Sequence, residues 1–163
     1  LKIGVISDSH DRPENVSKVI DFFHKENVEV MIHCGDFCAP FMIKEMRKFK
    51  GKIHCIFGNI DDEFSTTQLC AKLDIDLQGL YAEIEYDKRK ISFTHMPFLA
   101  EGIAHTRRYD AVFHGHDHKA KSEKIGKTLF ANPGNLAGIK EEAKFAIYDT
   151  KNNSIKHYKV SDI

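Results

Sequence analysis

The sequence has no tryptophan, no Cys-x-x-Cys pair, no net charge and no apolar stretch of membrane-spanning length. The missing tryptophan excludes nothing. A formal charge of zero, from 24 basic and 24 acidic residues, gives no global field to gather nucleic acid or an anionic membrane. A charged substrate therefore has to be held locally. Spanning a bilayer takes roughly 18 or more apolar residues, so a soluble protein with no membrane partner is expected. Leu1 to Ser7 is too short for a secretory h-region. Cys34, Cys38, Cys55 and Cys70 carry no redox-pair spacing, so reduced thiols in a cytoplasmic setting are expected. Repeats, linkers and low-complexity segments are also lacking. With 163 residues, one domain spanning 1–163 is expected, and a homo-oligomer is left open.

Histidine is present in unusual number, ten residues, and position has to decide whether they form a metal site or a surface. Ile3 to Ile6 is a short apolar run of the kind found in buried parallel strands. Pro13 suits a first helical turn, and Val16, Val19, Ile20 and Phe23 follow at helical spacing. Val28 to Ile32 predicts a second strand. A helix opened by Pro40 follows, with Met42, Ile43, Met46 and Phe49 inward, then a strand from Ile53 to Phe57. This β-α-β-α-β order implies parallel strands joined by right-handed crossovers. A third helix is expected over Ser65 to Leu73. An antiparallel hairpin follows, Tyr81 to Tyr86 and Lys90 to Thr94, turning at 87–89. Further elements are a helix over Leu99 to Arg108, a strand at Ala111 to Phe113 and two strands flanking Gly126. A last hairpin, Lys144 to Asp149 and Ile155 to Val160, turns at Asn152-Asn153. The fold class is α/β, with two sheets packed together and helices outside.

Asp8-x-His10, Asp36, Asn59, His95 and His116-x-His118 each fall just after a predicted strand, where open α/β sheets bind ligands. Gly35, Gly58 and Gly115 directly precede three of these polar residues, where a glycine permits a sharp turn and close approach. Oxygen donors mixed with imidazoles suit Mn²⁺, Fe²⁺, Zn²⁺ or Ni²⁺ better than Ca²⁺. Seven donors are too many for one transition ion and suit two, which can clamp a phosphoryl group. Each motif alone has a bland reading. Gly35-Asp36 could be a turn or helix cap, and Gly58-Asn59 a left-handed turn. His33 and His54 read as structural, and His24 and His157 as surface. His114 and His105 are weaker candidates for the rim. Arg107-Arg108 fits a solvated helix face better than a phosphate contact. Asn132-Pro133-Gly134-Asn135 is a turn whose Asn135 could also border the substrate.

As a set, Asp8-Ser9-His10, Gly35-Asp36, Gly58-Asn59-Ile60-Asp61, His95 and Gly115-His116-Asp117-His118 resemble the calcineurin-like metallophosphoesterase superfamily, in particular its small single-domain bacterial and archaeal phosphodiesterases. The resemblance covers Lys2 to about Ile155. It implies a four-layer α/β/β/α sandwich of two mixed sheets flanked by helices. It also implies two divalent ions, Mn²⁺ foremost. Asp8, His10 and His118 would hold one and Asn59, His95 and His116 the other, with Asp36 between them. A hydroxide bridging the ions would attack a small phosphodiester, with weaker action on monoesters. Asn59 would also touch a phosphate oxygen, and Asp61 would orient Asn59 or a water. Two departures stand out. Ile60 occupies the position where many relatives carry a leaving-group histidine, and Met96-Pro97 follows His95 where Gly-His is usual. The rival reading is a protein-interaction scaffold, because a retromer subunit resembles this fold yet lacks several ligands. This chain keeps all seven.

Overall fold

The computed structural model describes residues 1–163. The first half lays down β1 (Lys2–Ile6), α1 (Pro13–Lys25), β2 (Val30–His33), α2 (Phe41–Met46), β3 (Lys52–Cys55), α3 (Glu63–Lys72) and β4 (Asp76–Leu77). The second half adds β5 (Tyr81–Tyr86), β6 (Arg89–Thr94), α4 (Pro97–His105), β7 (Ala111–Phe113), β8 (Lys121–Ile125), β9 (Thr128–Asn132), β10 (Lys144–Asp149) and β11 (Ser154–Lys159). A 3₁₀ turn over Val160–Asp162 ends the chain.

Six strands form one sheet in the order β11-β10-β1-β2-β3-β4, and five form the other in the order β5-β6-β7-β9-β8. β1 to β4 run parallel, and β10 and β11 add antiparallel strands at the β1 edge. In the second sheet β6, β7 and β9 are parallel, with β5 and β8 antiparallel at the two edges. Both sheets are mixed.

Strand side chains alternate between faces, and that alternation builds four layers. Ile3, Val5, Val30, Ile32 and Tyr148 of the first sheet meet Ile91, Phe93 and Phe113 of the second between the sheets. On the other face of the first sheet, Ile6, Met31 and Ile53 pack against Val16, Ile20 and Phe23 of α1 and Met42 and Met46 of α2. Beyond the second sheet, Val112 and Phe130 meet Ala100 and Ala104 of α4. The order is helix, sheet, sheet, helix, as the resemblance implied. Gly4 lets α1 sit close, since a Cβ there would drive into the Phe23 ring.

Several boundaries differ from the sequence reading. β4 and the closing 3₁₀ turn were not anticipated. α2 is only six residues long, and Phe49 reaches the core from the turn beyond it. In the β5–β6 hairpin Arg89 pairs with Tyr86, leaving a two-residue turn, Asp87-Lys88, with both residues at positive φ. That backbone is what tight hairpin turns require.

Candidate metal centre

The parallel strands β1, β2 and β3 of one sheet and β6 and β7 of the other end on a common rim, and each hands its next residues to it. Asp8 and His10 follow β1, Asp36 follows β2, Asn59 follows β3, His95 follows β6, and His116 and His118 follow β7. The loops are laced together by main-chain contacts. Asp8 N donates to Gly35 O at 3.0 Å, His10 N to Asp36 O at 3.1 Å, and Gly115 N to His95 O at 3.1 Å. His116 N donates to Asp8 Oδ2 at 3.1 Å.

Two donor groups result. Asp8, His10 and His118 offer ligand atoms within 4.8 Å of one another, as do Asp36, His95 and His116. Asn59 belongs with the second group: its Oδ1 lies 3.1 Å from His95 Nε2 and 3.0 Å from His116 Nδ1. Asp36 lies between the groups, with Oδ2 3.3 Å from His95 Nε2 and 3.9 Å from His10 Nε2. All seven residues expected as ligands therefore meet in one place.

The atoms are set for a cation. Asp8 Oδ1 is buried with no hydrogen-bond partner, facing His118 Nε2 at 3.2 Å and His10 Nε2 at 3.6 Å. A buried unpaired carboxylate oxygen is costly unless a charge meets it. His95 Nδ1–H donates to Cys34 O at 2.8 Å, which leaves the Nε2 lone pair aimed at two further acceptors, Asp36 Oδ2 and Asn59 Oδ1. Three acceptors converging without a proton repel each other; around a divalent cation they attract. Fixing the tautomer through the far nitrogen is how metal-binding imidazoles are oriented.

Local backbone geometry serves the same end. Asp8, His10, Asp36, His116 and His118 all have positive φ, between 37° and 72°, a conformation that is uncommon for residues other than glycine and gathers at functional sites. The glycines act in two ways. Gly35 itself takes φ 92°, whereas Gly58 and Gly115 supply space: a Cβ would strike the Asp36 carboxylate at the first and Ser7 and Asp8 at the second.

Without an ion, the groups polarise one another. Burial pushes the Asp8 carboxyl up, but His10, Ser7, His95 and His118 more than offset it, and the group stays below the ordinary range. Asp36 is likewise raised by burial and lowered further by His95 and His10. The Asp8 carboxylate lifts the His10 imidazole. His95 is lowered by burial but lifted more by Asp36 and Asp8.

Not every expectation falls on the rim. Asp61 touches Asn59 only through the backbone: its Oδ2 accepts from Asp36 N and Gly58 N at 3.0 and 2.7 Å, and its Oδ1 from Cys38 N at 2.6 Å. Its carboxylate holds the two ligand loops. Asn135 is fully buried, with its amide oxygen and nitrogen both bonded to the Ile139 backbone, so it has no surface at which to meet a substrate. His114 is buried and stacked on Phe130. Arg107 and Arg108 are exposed beyond the far end of α4, roughly 13 Å of helix from its start beside His95. His157, expected on the surface, is half-buried and donates to Asn132 O at 2.8 Å.

Three residues support the site from behind; of these His33 was read as structural and Asn132 as part of a turn, and Ser7 was not singled out. Ser7 Oγ donates to Asp8 Oδ2 at 2.6 Å. His33 accepts from Gly35 N at Nδ1, 3.1 Å, which makes its Nε2–H the donor to Ser9 Oγ at 2.9 Å. Asn132 Nδ2 donates to Gly115 O at 3.1 Å and to Asp117 Oδ1 at 2.5 Å, bracing the loop that carries His116 and His118. The Asn-Pro-Gly-Asn turn was a visible signal for Asn132, and the apolar strand before it for His33; Ser7 had none.

The sequence profile of the calcineurin-like phosphoesterase superfamily domain matches residues 1–153. The chain belongs to that superfamily. Members use divalent metal ions, in keeping with the donor set above. The chain is 36% identical over 143 residues to a phosphodiesterase of Methanocaldococcus jannaschii, covering 85% of this chain and 86% of the relative. It is 26% identical over 158 residues to a probable metallophosphoesterase of Bacillus subtilis, covering 94% and 87%. Among solved structures, an archaeal phosphodiesterase superposes with a TM-score of 0.91 at 31% identity, covering 98% of this chain and 99% of that one. Vps29 from Chaetomium thermophilum has the same fold, with a TM-score of 0.72 at 15% identity and coverage of 98% and 96%.

Proposed function

We propose that this protein is a phosphodiesterase of the calcineurin-like superfamily that works with two divalent ions. Asp8, His10 and His118 hold one ion; Asn59, His95 and His116 hold the other; Asp36 is shared. The observation that carries this reading is Asp36 Oδ2 lying between two donor groups, 3.3 Å from His95 and 3.9 Å from His10. When bound, such an ion pair supplies Lewis acidity toward a phosphoryl oxygen and a nucleophile from water at neutral pH. The mixed oxygen and imidazole donors fit Mn²⁺ first, with Fe²⁺, Zn²⁺ and Ni²⁺ compatible. The likeness to phosphodiesterases supports a small phosphodiester as substrate.

The chain's own groups complete the picture. Asn59 turns Oδ1 toward the imidazole nitrogens, where it would face the ion they share, while its Nδ2 donates to no protein acceptor, so it is free to donate to a phosphate oxygen. Ile60 is half exposed and has no proton to give a leaving group. The enzyme therefore favours esters whose leaving oxygen needs little help.

The interaction-scaffold reading draws on the Vps29 fold likeness alone. It offers no reason to gather seven donors around a buried, unpaired carboxylate oxygen.

The test is metal content measured beside hydrolysis of bis(p-nitrophenyl) phosphate and p-nitrophenyl phosphate. Two ions per chain, faster diester cleavage, loss of rate with chelator and return with Mn²⁺ are expected. Asp36→Asn should lower the rate by roughly a thousandfold with the folded circular dichroism spectrum retained. Activity indifferent to exhaustive chelation, or a near wild-type Asp36→Asn enzyme, refutes the proposal.

A further inference from the structure

A small hollow of about 150 Å³ adjoins the metal centre, lined chiefly by Phe57, Leu80, Met96 and Leu99, with Asn59 and His95 at its inner end. No charged side chain other than His95, itself a metal donor, lines it. Leu80 is 63% exposed and Leu99 46%, so two leucines face water beside the donor cluster. On their other side Leu80 and Leu99 help line a separate hollow of about 400 Å³, whose wall includes Glu83 and Arg108.

The sequence builds this wall at Met96-Pro97. Proline holds the preceding residue extended, and Met96 has ψ 124°. Pro97 then starts α4 at once, which puts Leu99, in the first helical turn, on the wall of the hollow that His95 also lines. On the opposite side the Leu80 carbonyl is pinned by Thr94 Oγ at 3.0 Å, and the Gly79 carbonyl by Phe57 N at 2.6 Å. The departure beside His95 thus forms one side of a pocket.

We infer that this hollow is the subsite for one ester group of the substrate, and that the group is an apolar ring of single-ring size. This rests on the phosphodiesterase reading for its anion, because Asn59 and His95 belong to both the hollow and the donor cluster. A phosphorus held at the metal centre would carry its substituent directly into the hollow. A cavity near 150 Å³ lined by apolar side chains accommodates a benzene-sized molecule. A sugar or a second phosphate would find no polar partner along Phe57, Leu80, Met96 and Leu99, and would lose its hydration there. Ile60 agrees with this choice, since an aryl oxide departs without a protein acid.

The experiment compares phenylphosphonate with methylphosphonate, which present the same anion on different groups, by calorimetric titration of the Mn²⁺-loaded protein. Burial of a ring in such a site is worth about tenfold or more in affinity, so at least a tenfold preference for the phenyl compound is expected. In Leu80→Gln with Leu99→Gln, both exposed positions whose change threatens no core, the preference should fall to within about twofold while methylphosphonate binds as before. Equal affinities in the wild type, no binding of either compound, or a preference that survives both substitutions overturns the inference. Hydrolysis of bis(p-nitrophenyl) phosphate, followed in parallel, separates the two readings. Ring preference without hydrolysis removes the phosphodiesterase and keeps the pocket; hydrolysis without ring preference does the reverse.

Discussion

Asp61 illustrates how much a single residue's role depends on where its oxygens are spent. Three backbone amides, from Asp36, Gly58 and Cys38, point at its carboxylate, and an asparagine offers one acceptor where the aspartate offers two. Asp61→Asn should therefore loosen both ligand loops. The expected outcome is metal affinity weakened about 10–100-fold, with turnover largely restored at saturating Mn²⁺. A fall in rate that excess metal cannot repair would make Asp61 part of the chemistry instead. His33 acts at the same scale. Complete burial lowers its pKa from 6.5 to about 4, and its Nδ1 must stay unprotonated to accept from Gly35. Between those values an unfolded chain takes up a proton that the folded chain refuses, so stability falls as pH drops from 6.5 toward 4 and is complete above 6.5. The size of the effect is about 3 kcal/mol. Denaturant unfolding of the metal-free protein should show His33→Gln losing less stability than wild type across that window. Equal slopes would show that His33 titrates normally.

At the scale of elements, the legible parts were those whose burial leaves a period in the sequence. β1, β2 and β3 are apolar runs because both faces are covered, and α1 shows its buried face at Val16, Val19, Ile20 and Phe23. β4 has two half-buried residues and no pattern. It exists because Asp76 and Leu77 pair with His54 and Cys55, and because His54 joins Asp76 at 2.6 Å and Tyr86 Oη at 2.8 Å. Such partners are set by the tertiary fold, not by local preference. The seven candidate donors were legible for a related reason: each follows a strand, so finding the strands placed them on one rim. Residue type could not tell which polar groups were already occupied, hence the substrate role read for Asn135, whose buried amide is tied to the Ile139 backbone. Contact between elements also sets a prediction. Gly4 lets α1 lie on β1, and a methyl group there meets the Phe23 ring. Gly4→Ala should lower the unfolding free energy by about 1–3 kcal/mol through overpacking, read in a urea melt. An unchanged melt would mean that Phe23 has room to move.

Over the whole molecule, the donors divide between the two sheets in a way that couples metal to fold. Asp8, His10, Asp36 and Asn59 come from ends of the first sheet, and His95, His116 and His118 from the second. Each donor group draws on both: His118 reaches across to Asp8 and His10, and His95 and His116 to Asp36 and Asn59. An ion in either group ties one sheet to the other at the rim, beyond the apolar layer that already joins them. Unfolding separates these donors, so the ion binds the native state far better than the unfolded one. Free metal at 100 times its dissociation constant then adds about 2.7 kcal/mol, which in a protein of this size raises the melting temperature by roughly 5–10 °C. The rise should grow with Mn²⁺ concentration and shrink as pH falls, beginning above 6.5, because an imidazole must be neutral to ligate and His10 and His95 hold their protons more tightly than a free imidazole. His118→Gln should reduce it, since Asp8 and His10 then lose their only imidazole partner from the second sheet. A melting temperature that does not move between chelated protein and millimolar Mn²⁺ would mean that the seven donors, although gathered, do not hold an ion across the sheets.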